Sequence, residues 1–352
     1  MVAAGAMRIE VGAREDPPTT FARDQLMMLR CADDRVARAR VWRGSSPGLQ
    51  LGRFHRVDPA SIAWPDGAAT GASTAFVSRR HSGGRIVPIG PGVVCITIAV
   101  PLVDWLDPAR KPLRPEQVLN RAIRPLLAML RGDGIDAYYP GRDLVTAAGR
   151  PLAHASFTVL RDGVAIVEMH VAEQPAFAEL PALLDRCDPA GIAGVDREAL
   201  AAATSVVECG GSARSDEEWA QRFAHCAAER FCCDARVVAD GDERVTLADA
   251  GAAHAFTAVP GRAGDGRLSA AAVSMLGIVE CSARLHGDRV RDLAITGDLI
   301  APFHTLDDVS TECEGEPFRP ASIRKALARA MAGPRSFVLG LRDLDELILR
   351  LA

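Results

Sequence analysis

The stretch Arg79-Arg80-His81-Ser82-Gly83-Gly84-Arg85 lies between two segments that read as β-strands. Glycines let a backbone approach a ligand closely and offer it free N–H groups, while arginines add permanent charge and forked donors for phosphate or carboxylate. The combination suits a nucleotide or an acyl-adenylate; the alternative is a surface hairpin turn in an arginine-rich chain. Val93 to Val100, just downstream, is an apolar β-branched run that reads as a buried strand, which puts the loop at the end of a sheet strand.

Further out, Arg23 to Arg30 reads as a helix, and Val36 to Trp42 and Leu49 to Gly52 read as short strands around the turn Gly44-Ser45-Ser46-Pro47-Gly48. Val118, Leu119, Ala122, Ile123, Leu126, Leu127 and Leu130 share one helical face, with Pro115 in the first turn, Gly132 at the stop and a kink expected at Pro125. Leu144 to Thr146, Ala155 to Leu160 and Val164 to His170 read as a meander turning at Arg161-Asp162-Gly163. The pattern changes near Leu200 to Gly211. Beyond it, Ser215 and Glu218 form a capping box ahead of Trp219, Phe223 and Ala227, and Val279 to Leu285 with Val290 to Ile295 reads as a hairpin. Ser322 to Met331 and Asp343 to Leu351 read as closing helices.

Composition narrows the function classes. The chain has 352 residues, 48% hydrophobic and 24% charged, with a net charge of −4, which excludes disorder and makes nucleic acid a poor partner. The longest apolar stretch, Gly92 to Val103, is far short of the ~20 residues of a membrane span, and residues 1–20 lack the apolar core of a secretory signal. Nine cysteines without a C-x-x-C pair argue for reduced thiols and against a structural zinc site. A cytoplasmic, soluble protein with no metal site is expected. Of the 41 basic residues only Lys111 and Lys325 are lysine, so a reaction that needs an amine has few candidates.

Taken in order, these segments resemble the lipoate-protein ligase A family of the biotin/lipoate protein ligase superfamily. Leu51-Gly52-Arg53-Phe54 looks like its early Gly-Arg-aromatic strand end, and residues 79–84 are similar to its Arg-Arg-x-Ser-Gly-Gly loop. Tyr138 to Val145 resembles the approach to its Asn-Asp-hydrophobic strand, with Asp143 matching and Arg142 in place of Asn. Gly287 and Ile295-Thr296-Gly297-Asp298-Leu299 resemble the hairpin and Gly-Asp-Phe-like signature of its accessory domain. The resemblance implies an α+β fold: a mixed-sheet ligase-like domain over residues 21–205, an accessory α+β domain over 206–352, and a flexible lead over 1–20. It also implies that Arg53, Arg79, Arg80, Ser82, Gly83, Gly84 and Asp143 bind acid and nucleotide, with ATP and Mg2+ as cofactors.

The chain departs from the family at the catalytic lysine. The stretch corresponding to the family's Gly-Lys-x-x-Gly strand reads Ala148-Gly149-Arg150-Pro151-Leu152-Ala153-His154-Ala155-Ser156, with the lysine position on Pro151 and the next glycine on His154. Arg150 is the candidate to supply the missing cation if a turn or bulge aims it at the pocket. Arg85 stands where a third glycine is expected, and Glu168-Met169-His170 where His-Gly-Thr is expected. His154 and His170 read as packed strand histidines, Asp298 as a turn residue, and Cys232-Cys233 with His225 and Cys226 as no metal site.

Three functions stand as expectations. The first is ATP-dependent activation of lipoate or octanoate to an acyl-adenylate and its transfer to a lipoyl-domain lysine. The second is a non-catalytic homologue that binds a lipoyl domain or an acyl-adenylate. The third is a cysteine-dependent acyltransferase, which needs Cys95 to face the pocket.

Overall fold

The computed structural model describes residues 5–12, 14, 17–55, 76–102, 115–187, 202–238, 267–302, 304–333, 335–341 and 343–351. The strands are β1 (Ala6–Val11), β2 (Ala37–Trp42), β3 (Gly48–Leu51), β4 (Phe76–Arg79), β5 (Val87–Ile89), β6 (Val93–Pro101), β7 (Ala137–Tyr138), β8 (Leu144–Ala147), β9 (Arg150–Val159), β10 (Val164–Ala172), β11 (Asp234–Val238), β12 (Leu268–Val273), β13 (Ile278–His286) and β14 (Arg289–Gly297). The helices are α1 (Pro17–Asp34), α2 (Pro115–Ala122), α3 (Arg124–Gly132), α4 (Ala176–Cys187), α5 (Asp216–Phe231), α6 (Thr305–Cys313), α7 (Pro320–Ala330) and α8 (Leu344–Leu349). The helix expected around Pro125 is divided at Ile123 into α2 and α3, as a proline without an N–H requires.

An eight-stranded mixed sheet in the order β11-β1-β2-β6-β10-β9-β8-β7 carries the molecule. Its register sorts residues by face, because directly opposite residues point the same way. On one face run the rows Arg40–Thr97–Glu168–Ser156 and Trp42–Cys95–His170–His154. On the other run Ala39–Ile98–Val167–Phe157 and Val41–Ile96–Met169–Ala155. The second face is wholly apolar and packs against Leu126 and Leu130 of α3 and Trp219 and Phe223 of α5. The first face is polar yet buried throughout. It is covered by α1, whose Met27, Met28 and Cys31 meet Ala99 and Ile166, and whose Asp24 pairs with Arg40 at 2.6 Å.

A small sheet, β4-β3-β5, leans on α4 through Leu49, Leu51, Phe177 and Leu180 and presents the glycine loop to the polar face. The third sheet, β12-β13-β14, packs with α6, α7 and α8 around Val279, Ile295, Val309, Ile323 and Leu347. The mixed α/β architecture with a smaller second unit is the one expected.

Two boundaries move. Ala6–Val11 is a strand of the large sheet, parallel to both β2 and β11, so this part of the lead is anchored. Residues 216–238 belong to the first unit, not the second: α5 buries Trp219 and Phe223 in the main core, and β11 extends the main sheet. The physical reason is a polar tie that the local pattern does not show. The Trp219 indole N–H donates to Glu173 at 2.7 Å, and Glu173 pairs with Arg43, which also holds Asp216. No described helix is long and apolar enough to cross a membrane.

Candidate functional site

The glycine loop lies over the polar face, and three of its backbone donors, those of His81, Ser82 and Gly84, are taken up within the fold. The backbone N–H groups of Ser82 and His81 both donate to the Glu168 carboxylate, at 2.6 and 3.3 Å. Gly84 donates its N–H to the carbonyl of Leu299 at 2.7 Å. Gly83 is required for that approach, since a Cβ there would lie 2.0 Å from the Leu299 oxygen. The segment around Leu299 is fastened on both sides: Gly297 N–H to the Phe54 carbonyl, and the Thr158 hydroxyl to the Ala301 carbonyl at 2.9 Å. Asp298 follows β14, and its carboxylate accepts from the Ile278 N–H at the start of β13 at 3.1 Å.

The two loop arginines hold the loop itself. Arg79 donates to the carbonyls of Gly52 and His55 at 3.0 and 2.7 Å, closing the turn that contains Arg53. Arg80 is fully buried and donates to the carbonyls of Gln50, Gly83 and Arg85 and to the hydroxyls of Ser82 and Ser156. Burial pushes its guanidinium down to about 10, and that of Arg53 likewise to about 10. Both remain charged at neutral pH. Ser82 hydroxyl bonds the Ser156 hydroxyl across to β9.

Asp143 is fully buried, and both of its carboxylate oxygens are held by one residue. Arg85 donates through Nε and Nη2, at 2.5 and 3.0 Å. The bulky cation in the third-glycine position has therefore taken the carboxylate expected to serve nucleotide or metal. His154 stands 3.8 Å from the same carboxylate, and neither of its ring nitrogens has a hydrogen-bond partner. Its ring centroid lies 5.7 Å from that of His170, whose Nε2 meets the Gln50 side chain at 2.7 Å. Burial, with Arg80 nearby, holds both histidines well below their usual range, so both are neutral.

Arg150 does not reach this site. Ala148 and Gly149, both with positive φ, form the tight turn between β8 and β9, and Arg150 emerges from it exposed, donating to the carbonyls of Ala202 and Ala203 at 3.0 Å each. A bulge is present between β8 and β9, past Thr146, but the arginine still starts the strand. Ser156, which touches Arg80, is six residues on, about 20 Å along an extended chain. Arg150 is thus engaged at the start of β9, on the carbonyls of Ala202 and Ala203, and not beside Arg80 and Ser156. Lys325 is exposed on α7, and Lys111 lies outside the described residues.

Cys95 is on the polar face of the sheet beside His170, but it is packed and not open. It is buried in a cluster with Trp42, Ile89 and Val93, and burial raises its thiol well above the ordinary value, which works against the thiolate that a cysteine-dependent transfer needs. Among the described residues no group of three or more His, Cys, Asp or Glu side chains is placed to hold a metal, and Cys232 is exposed while Cys233 is half-buried.

Gln50 and Ser156 are site residues that the motifs do not mark, and Glu168 is marked only as a departure at the His-Gly-Thr position, without its role at the loop. A signal was available in β9, where His154, Ser156 and Thr158 alternate with Ala155, Phe157 and Val159 in a strand that is buried on both faces. Polar alternation on a buried strand marks a face that covers something other than solvent.

The mixed sheet, the loop laid over its polar face and the second small sheet-and-helix unit define a lipoate-protein ligase-like fold. The chain is similar over almost its whole length to LipL1 of P. falciparum solved in complex with lipoate, with a TM-score of 0.70 at 12% identity, covering 98% of this chain and 99% of that one. It is also similar to the bipartite lipoate protein ligase of Thermoplasma acidophilum, described with its E2 lipoyl domain (TM-score 0.54, 15% identity, 71% and 91% covered). A lipoate-protein ligase A bound with ATP gives a TM-score of 0.51 at 13% identity over 72% and 93% of the two chains. No family model and no curated protein matches the sequence.

Proposed function

We propose that the protein is a non-catalytic binding protein on a lipoate-ligase fold, one that takes a lipoyl domain or its acyl arm as partner and does not form an acyl-adenylate. The observation that supports this reading is the self-occupied anion seat: Glu168 lies on the N–H groups of His81 and Ser82, where an acid or phosphate would sit. The Arg85–Asp143 pair adds to it by engaging both oxygens of the carboxylate that the resemblance gives to nucleotide and metal. The residues present therefore do not fit ATP with Mg2+.

Activation of lipoate or octanoate with ATP would need a cation at the developing charge. Arg80 is the arginine at the seat, and its donors go to backbone carbonyls and hydroxyls of the fold. The relatives solved with lipoate and with a lipoyl domain support the choice of partner.

The test is pyrophosphate release by the purified full chain with ATP, Mg2+ and lipoate or octanoate, alongside calorimetric titration with a lipoyl domain carrying or lacking its acyl group. No release together with saturable binding of the domain is the expected result. Acid-dependent release by the parent protein overturns the reading.

A further inference from the structure

The helical layer on the apolar face of the main sheet carries an open groove of about 700 Å3 between α3 and α5. Its two walls are fastened to each other through Asp133, which caps α3 and pairs with Arg222 of α5 and, at 2.9 Å, with Arg214 just ahead of it. The period of α3 sorts its residues cleanly. Pro125, Leu126, Met129 and Leu130 are buried toward the sheet, and Arg124, Leu127, Ala128 and Arg131 form the opposite stripe at the i, i+3, i+4, i+7 spacing of one face. Arg124 and Arg131 are both exposed and stand two turns apart, about 10.5 Å along the axis, with half-buried Leu127 and Ala128 between them.

The charge of this groove is unlike that of the rest of the surface. The chain has a net charge of −4, and arginines elsewhere are matched to acids, as in Arg161–Asp308, Arg291–Glu314, Arg319–Asp288 and Arg324–Asp345. In the groove, Arg124 and Arg230 have no ion-pair or hydrogen-bond partner among the described residues, and Arg131 donates only through Nε, to the Ala137 carbonyl at 2.9 Å. Glu229 is the one acid among the described lining residues, and it lies 3.4 Å from His225 one turn back on α5. The first turn of α3 has no acidic residue, where the helix dipole favours one, and carries Arg124 instead.

We infer that this groove docks an acidic amphipathic helix of a partner protein, with carboxylates seven residues apart on Arg124 and Arg131 and an apolar side chain between them on Leu127 and Ala128. The partner's pattern is the complement of the α3 stripe, which is how a helix seats in a groove between helices. A nucleic acid fits less well, because three cations and one acid around an apolar floor do not track a phosphate backbone. The surface lies on the opposite side of the main sheet from the glycine loop and does not rest on the function proposed above.

The experiment is fluorescence anisotropy of the full chain with a labelled, alanine-based helical peptide carrying two glutamates seven residues apart and leucine midway. The peptide binds saturably, and replacing its glutamates by glutamine weakens it about tenfold or more. Arg124→Glu/Arg131→Glu weakens the glutamate peptide to the same degree and takes up the matching lysine peptide. Arg230→Glu, which breaks no bond within the fold, also weakens it, and Arg319→Glu/Arg324→Glu, with the same change in net charge on α7, leaves it unchanged. A thermal melt verifies that each variant folds. Absence of saturable binding, equal binding of the glutamine peptide, an equal loss in the α7 variant, or tighter binding of single-stranded DNA overturns the assignment. Pyrophosphate release in the earlier assay would overturn the reading of the glycine-loop face and leave these outcomes unaltered.

Discussion

Arg85 and Asp143 are 58 residues apart and meet in a two-pronged ion pair, Nε on one carboxylate oxygen and Nη2 on the other, with the carboxylate wholly out of solvent. This pair locks the end of the glycine loop to the start of β8. Removing one partner leaves a buried charge uncompensated, so Asp143→Ala and Arg85→Ala are each expected to lose about 3–5 kcal/mol. The double variant loses clearly less than the sum. A denaturant double-mutant cycle measures the coupling, and simple additivity would contradict it.

The neutral histidines of the loop and sheet make the fold acid-sensitive. His81 is pushed down to about 3 by burial, its ring stacked on Phe21 at 3.7 Å, and His154 and His170 are also depressed by burial. A depressed histidine contributes stability that is present above its unfolded value near 6.5 and is lost as pH falls below it, because the unfolded chain takes up protons that the fold does not. Each contributes up to about 1.4 kcal/mol per pH unit in that window. Unfolding free energy measured at pH 7.5, 6 and 5 should fall steeply for the parent protein and less steeply for His154→Gln.

Gly83→Ala tests the contact between loop and second unit. A Cβ at Gly83 collides with the Leu299 carbonyl, and the neighbouring Gly84 N–H bond to that same carbonyl must lengthen or break. The expected outcome is a loss of a few kcal/mol with faster amide exchange at Gly84 and around Leu299. Protection unchanged from the parent would show that the two segments are not held together in this way.

Arg150 offers a contrast with Arg80. Arg150→Ala removes an exposed side chain bonded to the carbonyls of exposed Ala202 and buried Ala203 and should alter stability by no more than about 0.5–1.5 kcal/mol. Arg80→Ala leaves the carbonyls of Gln50, Gly83 and Arg85 unpaired in the interior and should be among the most damaging single changes. Equal effects in chemical denaturation would reverse the assignment of Arg80 as the structural centre of the loop.

Thiol labelling separates the cysteines. Cys232 is exposed and should react quickly with a maleimide or disulfide reagent in the native protein, whereas Cys95, buried and with a raised thiol, should react only on unfolding. Native-state labelling of Cys95 would reopen the thioester reading.

What the sequence determined by itself is everything that depends on near neighbours. The apolar periods gave the strands around the loop, the helix divided at Pro125, the hairpin at Gly287 and the capping box at Ser215, all of which the structure contains. The order of the glycine loop, the Asp143 strand and the Gly297-Asp298 pair was enough to point to the ligase-like fold. Tertiary structure alone decided what each polar side chain meets. Glu168 is 86 residues from Ser82, and Glu173 is 46 from Trp219, so neither the filled anion seat nor the transfer of α5 to the first unit can be read from local pattern. Arg150 is one residue from the expected lysine position, yet it lies on the surface because a hairpin turn, not the motif, sets its direction. The physical reason is common to all three. Chain periodicity sets which face a residue occupies, but the donor or acceptor it finds there depends on which distant strand is registered opposite it.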